Sequence, residues 1–126
     1  MNIPKRIKIG SKIFKVKLTD KLVLGENYTG ECLYQNLKIH VRPHLAKSVR
    51  EVTFIHEVLH AIYDNLGYSD HDEKKIEELA NALHGIIVDN PDLFSTEISN
   101  PELKDKGLKP KQVAKLVGEQ FSGLRN

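Results

Sequence analysis

Two histidines four positions apart, His56 and His60, with Glu57 directly after the first, are the residues of this chain best suited to chemistry. On an α-helix, positions i and i+4 share one face about a turn apart, so both imidazoles can bind a single ion. Glu57, beside the first of them, can take a proton from a water that the ion has made acidic. This is the HExxH arrangement of metal-assisted hydrolysis, and zinc is its usual ion. Chance would place these three residue types at this spacing in about 2% of shuffled chains of this composition. Here they also fall inside a segment of strong helical periodicity.

A catalytic zinc takes three protein ligands and a water, so a third ligand is required. The metzincin pattern is excluded, because Tyr63 and Leu66 stand where it needs glycine and histidine. The remaining candidates are Asp64, His71, Glu73, Glu77, Glu78 and His84. Glu77 is the favoured one. It shares a face of the next helix with Ala80, Asn81 and His84, at i, i+3, i+4 and i+7, and Ala80 is small enough for close helix approach. Glu78 points about 100° away and reads as solvated. Asp64 would have to stretch back a turn, His71 falls in the turn between the helices, and His84 reads as a satisfied structural histidine. Asn81 is placed to accept a hydrogen bond from the non-metal nitrogen of His56 or His60. Tyr68, His71 and His40 are the candidates for contacting substrate or a developing oxyanion.

The elements that must position these residues follow from hydrophobic periodicity. Ile7 and Ile9, a Gly10-Ser11 turn, then Phe14, Val16 and Leu18 predict a β-hairpin with one buried face. A connection follows over residues 19 to 29. A second hairpin turns at Gln35-Asn36, with Tyr34 facing Leu37, Cys32 facing Ile39 and Gly30 facing Val41. Leu37 to Val41, polar on its outer face at Lys38, His40 and Arg42, is expected to be an edge that pairs with an extended peptide.

Ser48 and Glu51 have capping-box spacing ahead of a helix through Val52, Ile55, Leu59, Ile62, Tyr63 and Leu66, with Gly67 as its stop. A second helix is predicted from Ser69 or Asp70 to Asn90-Pro91, through Ile76, Leu79, Ala80, Leu83, Ile86 and Ile87. The short connection makes the two helices near neighbours, most simply antiparallel. The fold class is therefore α+β: a small antiparallel sheet of two hairpins packed with the helix pair that carries the metal site. Residues 1–92 form the metal-binding domain, and residues 93–126 are a linker and a C-terminal helix opened by Pro110.

Composition narrows the partners. A chain of 126 residues with 40% hydrophobic and 29% charged residues is one small globular domain. A net charge of +2 gives no reason to expect nucleic acid, and the lysine runs near both ends read as solvated faces. Cys32 is alone, so any metal site must be built from histidines and carboxylates. No apolar stretch reaches membrane-spanning length and the N-terminus has no apolar signal core, which points to a cytoplasmic protein acting away from membranes.

HExxH followed on the next helix by Glu77-Glu78-Leu79-Ala80-Asn81 resembles the gluzincin metallopeptidases, whose corresponding pattern is Glu-x-x-x-Asp or Glu-x-x-Ala-Asn. With a hairpin-built sheet ahead of the helix pair, the chain looks most like the ImmA/IrrE-type domains and their compact phage and prophage forms, over roughly residues 6 to 90. The resemblance implies a zinc metallopeptidase acting on a protein or peptide substrate. It implies His56, His60 and Glu77 as ligands of one zinc and Glu57 as the base. Neither a helix-turn-helix domain nor a long C-terminal substrate module accompanies the motifs. Two rivals remain: a non-catalytic zinc-binding or interaction module, which has no use for Glu57, and a DNA- or phage-particle-associated factor acting through its basic tail.

Overall fold

Alternating apolar residues turn Ile7, Ile9, Phe14 and Val16 to one side of two antiparallel strands, β1 (Arg6–Ile9) and β2 (Lys12–Leu18). The computed structural model, which describes residues 1–93, joins them at Gly10-Ser11. Gly10 has φ 61°, the left-handed backbone that a two-residue hairpin turn demands and glycine adopts without penalty. Strands β3 (Gly30–Leu33) and β4 (Lys38–Val41) form the second hairpin, pairing Gly30 with Val41 and Cys32 with Ile39 as the alternation predicts. Tyr34 and Leu37 lie in its turn.

The hairpins merge into one sheet of order β1-β2-β4-β3, with β2 and β4 parallel and Val16 beside Ile39. This corrects the expectation of a free edge at Leu37 to Val41. Strand β4 is paired on both sides, and β1 and β3 are the edges. The reason is burial: Ile39 and Val41 are fully buried, and the strand carrying them loses least when placed inside the sheet.

Helix α1 (Lys47–Asn65) packs on one face of the sheet, and α2 (Glu73–Asp89) joins the core through Ile76 and Ala80. Phe54, Ile55, Leu59, Ile76 and Ala80 meet Ile9, Phe14, Ile39 and Val41 in a single core. Leu66, Leu79 and Ile86, expected in the apolar stripes, are exposed. The capping box is not formed. Helix α1 begins after Ala46, Ser48 lies within it, and no side chain caps it. Glu51 instead is buried, 2.9 Å from His84 Nε2 and 3.4 Å from the Met1 amine, so tertiary partners displace the local one. The C-terminal stop does behave as predicted. Gly67 has φ 90°, its N–H donates to Asp64 O, and Tyr68 N–H donates to Tyr63 O, both at 3.0 Å. That is the Schellman pattern. Helix α2 starts later than predicted, because Asp72 supplies its cap: Oδ1 accepts from Lys75 N at 3.2 Å.

Beneath the outer face of the sheet lies a polar cluster that periodicity does not reveal. Glu31, fully buried, accepts hydrogen bonds from Leu24 N at 2.9 Å, Val23 N at 3.0 Å and His40 Nδ1 at 2.7 Å. The carboxylate thereby ties the long 19–29 connection onto the hairpin. Burial alone would raise its pKa, but the amides of Leu24 and Val23, together with His40, outweigh that and hold it below 4.5. A depressed folded pKa means the stabilisation is complete above about pH 4.5 and is lost as pH falls through the lower folded value. Glu31→Ala is therefore expected to destabilise the protein by about 2–4 kcal/mol near neutral pH, through the orphaned amides and imidazole. In urea melts, the gap from wild type should shrink on going from pH 7 to pH 3; a gap that does not change with pH would contradict this account.

Residues Met1–Val88 make one compact unit. No helix among the described residues is long and apolar enough to cross a membrane. The predicted linker and C-terminal helix lie outside the described residues.

Candidate metal centre

The inward face of α1 sends Phe54, Ile55 and Leu59 into the core, and the adjoining positions carry the candidate site residues. His56 and His60 border a cleft of about 1040 Å³, whose wall includes Gly30, Cys32, Tyr34, Val52, Thr53, Glu73 and Glu77. Glu57 is 7% exposed and turns toward β3. Gly30 makes that approach possible. A Cβ there would stand 2.6 Å from Thr53 Cγ2, 2.8 Å from the His40 carbonyl oxygen and 3.4 Å from Glu57 Cγ. Side-chain pairs 51–84, 56–77 and 60–73 show that α2 runs antiparallel to α1 across the cleft.

The two Nε2 atoms of His56 and His60 face each other at 3.1 Å. Glu73 spans both, with Oε2 3.0 Å from His56 Nε2 and Oε1 2.8 Å from His60 Nε2. Glu77 lies on the other nitrogen of His56, its Oε2 2.6 Å from Nδ1. Asn81 was expected to bond a histidine; its amide instead donates to Glu77, at 2.8 Å to the carbonyl oxygen and 3.3 Å to Oε1. One helical turn separates the two residues, so the local partner lies closer than the histidines across the cleft. Glu78 is exposed, and His84 pairs with Glu51.

The three candidates for substrate contact fare differently. His40 is on the face of the sheet away from the helices, bound to Glu31, because β4 points Ile39 and Val41 inward. Tyr68 is 60% exposed at the helix stop, and its ring rests against Tyr63. His71 stands behind His60, Nδ1 to Nδ1 at 2.7 Å, with its Nε2 2.8 Å from Tyr68 O. Neither Tyr68 nor His40 lines the cleft. Tyr34, which sequence reasoning placed only as the hairpin partner of Leu37, does line it, and burial raises its hydroxyl pKa so that it stays a donor. Its aromatic type beside a turn is the only signal that could have flagged it.

Electrostatics favour a bound cation. Burial pushes the Glu57 carboxyl up to about 7; His56 opposes this, and the charges of Glu73, Glu31 and Glu77 add to it. Its Oε2 is buried without a hydrogen-bond partner. Burial lowers the pKa of His60 as well, with Glu73 opposing and His56 and His71 reinforcing, which favours the neutral, ligating ring. Burial also drives Cys32 up to about 12, with Glu57 and Asp64 adding to it, so its thiol stays protonated in the metal-free protein. The Nδ1 proton of His56 goes to Glu77, which leaves Nε2, 3.0 Å from Glu73 Oε2, as the nitrogen able to meet an ion. Nε2 of His56, Nε2 of His60 and the Glu73 carboxylate thus converge, bridged by imidazole protons in the metal-free protein, and all three can turn electron pairs to a cation that replaces those protons. The ligand atoms of His56, Glu57 and His60 all lie within 4.8 Å of one another, and this group can hold a metal ion. Comparison with protein-family models, curated proteins and solved structures finds no match.

Proposed function

We propose that this chain is a zinc-dependent metallopeptidase of gluzincin type that hydrolyses a protein or peptide substrate. The observation that carries the reading is the convergence of two imidazole Nε2 atoms and a carboxylate beside Glu57, whose buried Oε2 has no partner. An unpartnered buried carboxylate weakens a fold and has no structural use, so it favours the catalytic reading over a non-catalytic module. The resemblance of the two motifs to the gluzincin pattern points the same way.

His56 and His60 supply two ligands and α2 supplies the third. Helical spacing and resemblance both point to Glu77 for that place, but distance favours Glu73, which meets both Nε2 atoms. Glu77 then accepts the Nδ1 proton of His56 and fixes its tautomer, itself held by Asn81. Bound zinc supplies the positive charge that makes a water reactive near neutral pH. Glu57 takes the proton of that water on Oε2 and passes it to the leaving amine. The edge of β3 offers unpaired backbone groups along which an extended peptide can lie. Tyr34 supplies a hydroxyl donor on the same wall.

Metal analysis of protein purified without added zinc tests the reading, with about one zinc per chain expected. Glu73→Ala should lose most of it. Glu77→Ala should keep its zinc with affinity reduced about 10–100-fold, as for loss of an outer partner. The reverse pattern would return the ligand role to Glu77, and a wild type without zinc would end the metallopeptidase reading.

A further inference from the structure

We infer that His71, on the connection between α1 and α2, is a positioning residue for the centre: it accepts the Nδ1 proton of His60 and so turns the Nε2 lone pair of His60 toward the ion. The inference rests on the proposed metal reading for its purpose, whereas the hydrogen bond itself belongs to the metal-free protein.

The proton positions follow from what each partner can do. Nε2 of His71 is 2.8 Å from the Tyr68 carbonyl oxygen, which can only accept, so Nε2 carries the proton. In a neutral ring Nδ1 is then a bare acceptor. It sits 2.7 Å from Nδ1 of His60, and the proton between them must belong to His60. Nε2 of His60, which faces His56 Nε2 at 3.1 Å and shares a proton with Glu73 Oε1 at 2.8 Å, is then the nitrogen left to turn its lone pair to an ion that displaces that proton. The Tyr34 hydroxyl, 3.5 Å from the same Nδ1 of His71, is the weaker competitor.

The backbone holds this relay in place. The helix stop at Gly67 bonds Tyr68 N–H to Tyr63 O, which sets the Tyr68 carbonyl that orients His71. The His71 ring stacks on His60 with centroids 5.0 Å apart and a 24° tilt, while the ring of Tyr63 meets it edge-on at 5.6 Å. The two histidine ligands are thus locked from two different elements, His56 by Glu77 of α2 and His60 by the interhelix connection. Both nitrogens of His71 are engaged, so neither is free to donate to a substrate or an oxyanion, the role that sequence alone suggested for it.

Long-range ¹H–¹⁵N spectra of the metal-free full chain should show His71 protonated on Nε2 and His60 on Nδ1. A proton on Nδ1 of His71 would overturn the assignment. Zinc affinity, measured by competition with a chromogenic chelator, should fall about 10–100-fold in His71→Ala. His71→Asn places an amide oxygen where Nδ1 stood and should recover most of the loss. Equal losses in both variants would mean that His71 only packs, and no loss in either would remove its role while leaving the zinc reading intact. A wild type that takes up no zinc would instead overturn the metal reading, and the purpose of His71 with it.

Discussion

Glu57→Gln is expected to keep its zinc and its fold and to lose peptide hydrolysis by about 10²–10⁴-fold in kcat, the usual contribution of a general base. Glutamine preserves the shape of the side chain but cannot take a proton from water. The fold should tolerate it, because the carboxylate it replaces has a buried oxygen without a partner and a pKa pushed up to about 7, chiefly by burial. A raised carboxyl pKa weakens the metal-free protein as pH rises from the unfolded value through 7, so at pH 8 the variant should melt no lower than wild type. Zinc content, melting temperature and cleavage of a quenched fluorescent peptide library report the three properties separately. A zinc-loaded Glu57→Gln protein that cleaves at the wild-type rate would remove Glu57 from the mechanism.

Gly30→Ala is expected to destabilise the protein by about 3 kcal/mol, the upper part of the range for forcing a methyl into packed space. The added Cβ would come within 2.6 Å of Thr53 Cγ2 and 2.8 Å of the His40 carbonyl, and the latter is backbone that a rotamer change cannot clear. Strand β3 would have to move away from α1 or β4. Because the same Cβ lies 3.4 Å from Glu57 Cγ, the displacement should also disturb the base. Chemical denaturation gives the stability change. A loss below about 0.5 kcal/mol would show that the strand and helix are not held as close as this geometry requires.

Much of the local structure was legible. The i, i+4 spacing of His56 and His60 places both on one face of any helix that contains them, and the observed 3.1 Å between their Nε2 atoms follows from that period. The pairing of Cys32 with Ile39 follows from strict alternation, since a slip of one residue would turn Ile39 and Val41 to solvent. Gly67 ends α1 because only glycine takes φ 90° without strain. The start of α1 departs from the local pattern: Ser48 and Glu51 have the spacing of a cap, but Glu51 faces inward and finds His84, thirty-three positions away.

Periods of 2 and 3.6 residues act over a few positions, so the sequence by itself determined the hairpins, the helix faces and the presence of a histidine pair beside Glu57. It also placed glutamates on the face of α2 that meets that pair. Only the tertiary structure decided which elements touch: β2 lies parallel to β4, Glu31 is tied to the 23–24 amides, and His71 stands behind His60. It likewise decided which nitrogen each carboxylate meets, Glu73 at the two Nε2 atoms and Glu77 at Nδ1 of His56. Glu73 and Glu77 are one helical turn apart and alike in type and side-chain length, so spacing cannot separate them. The angle and offset at which α2 crosses α1 separates them, and that is set by how Ile76 and Ala80 pack into the core.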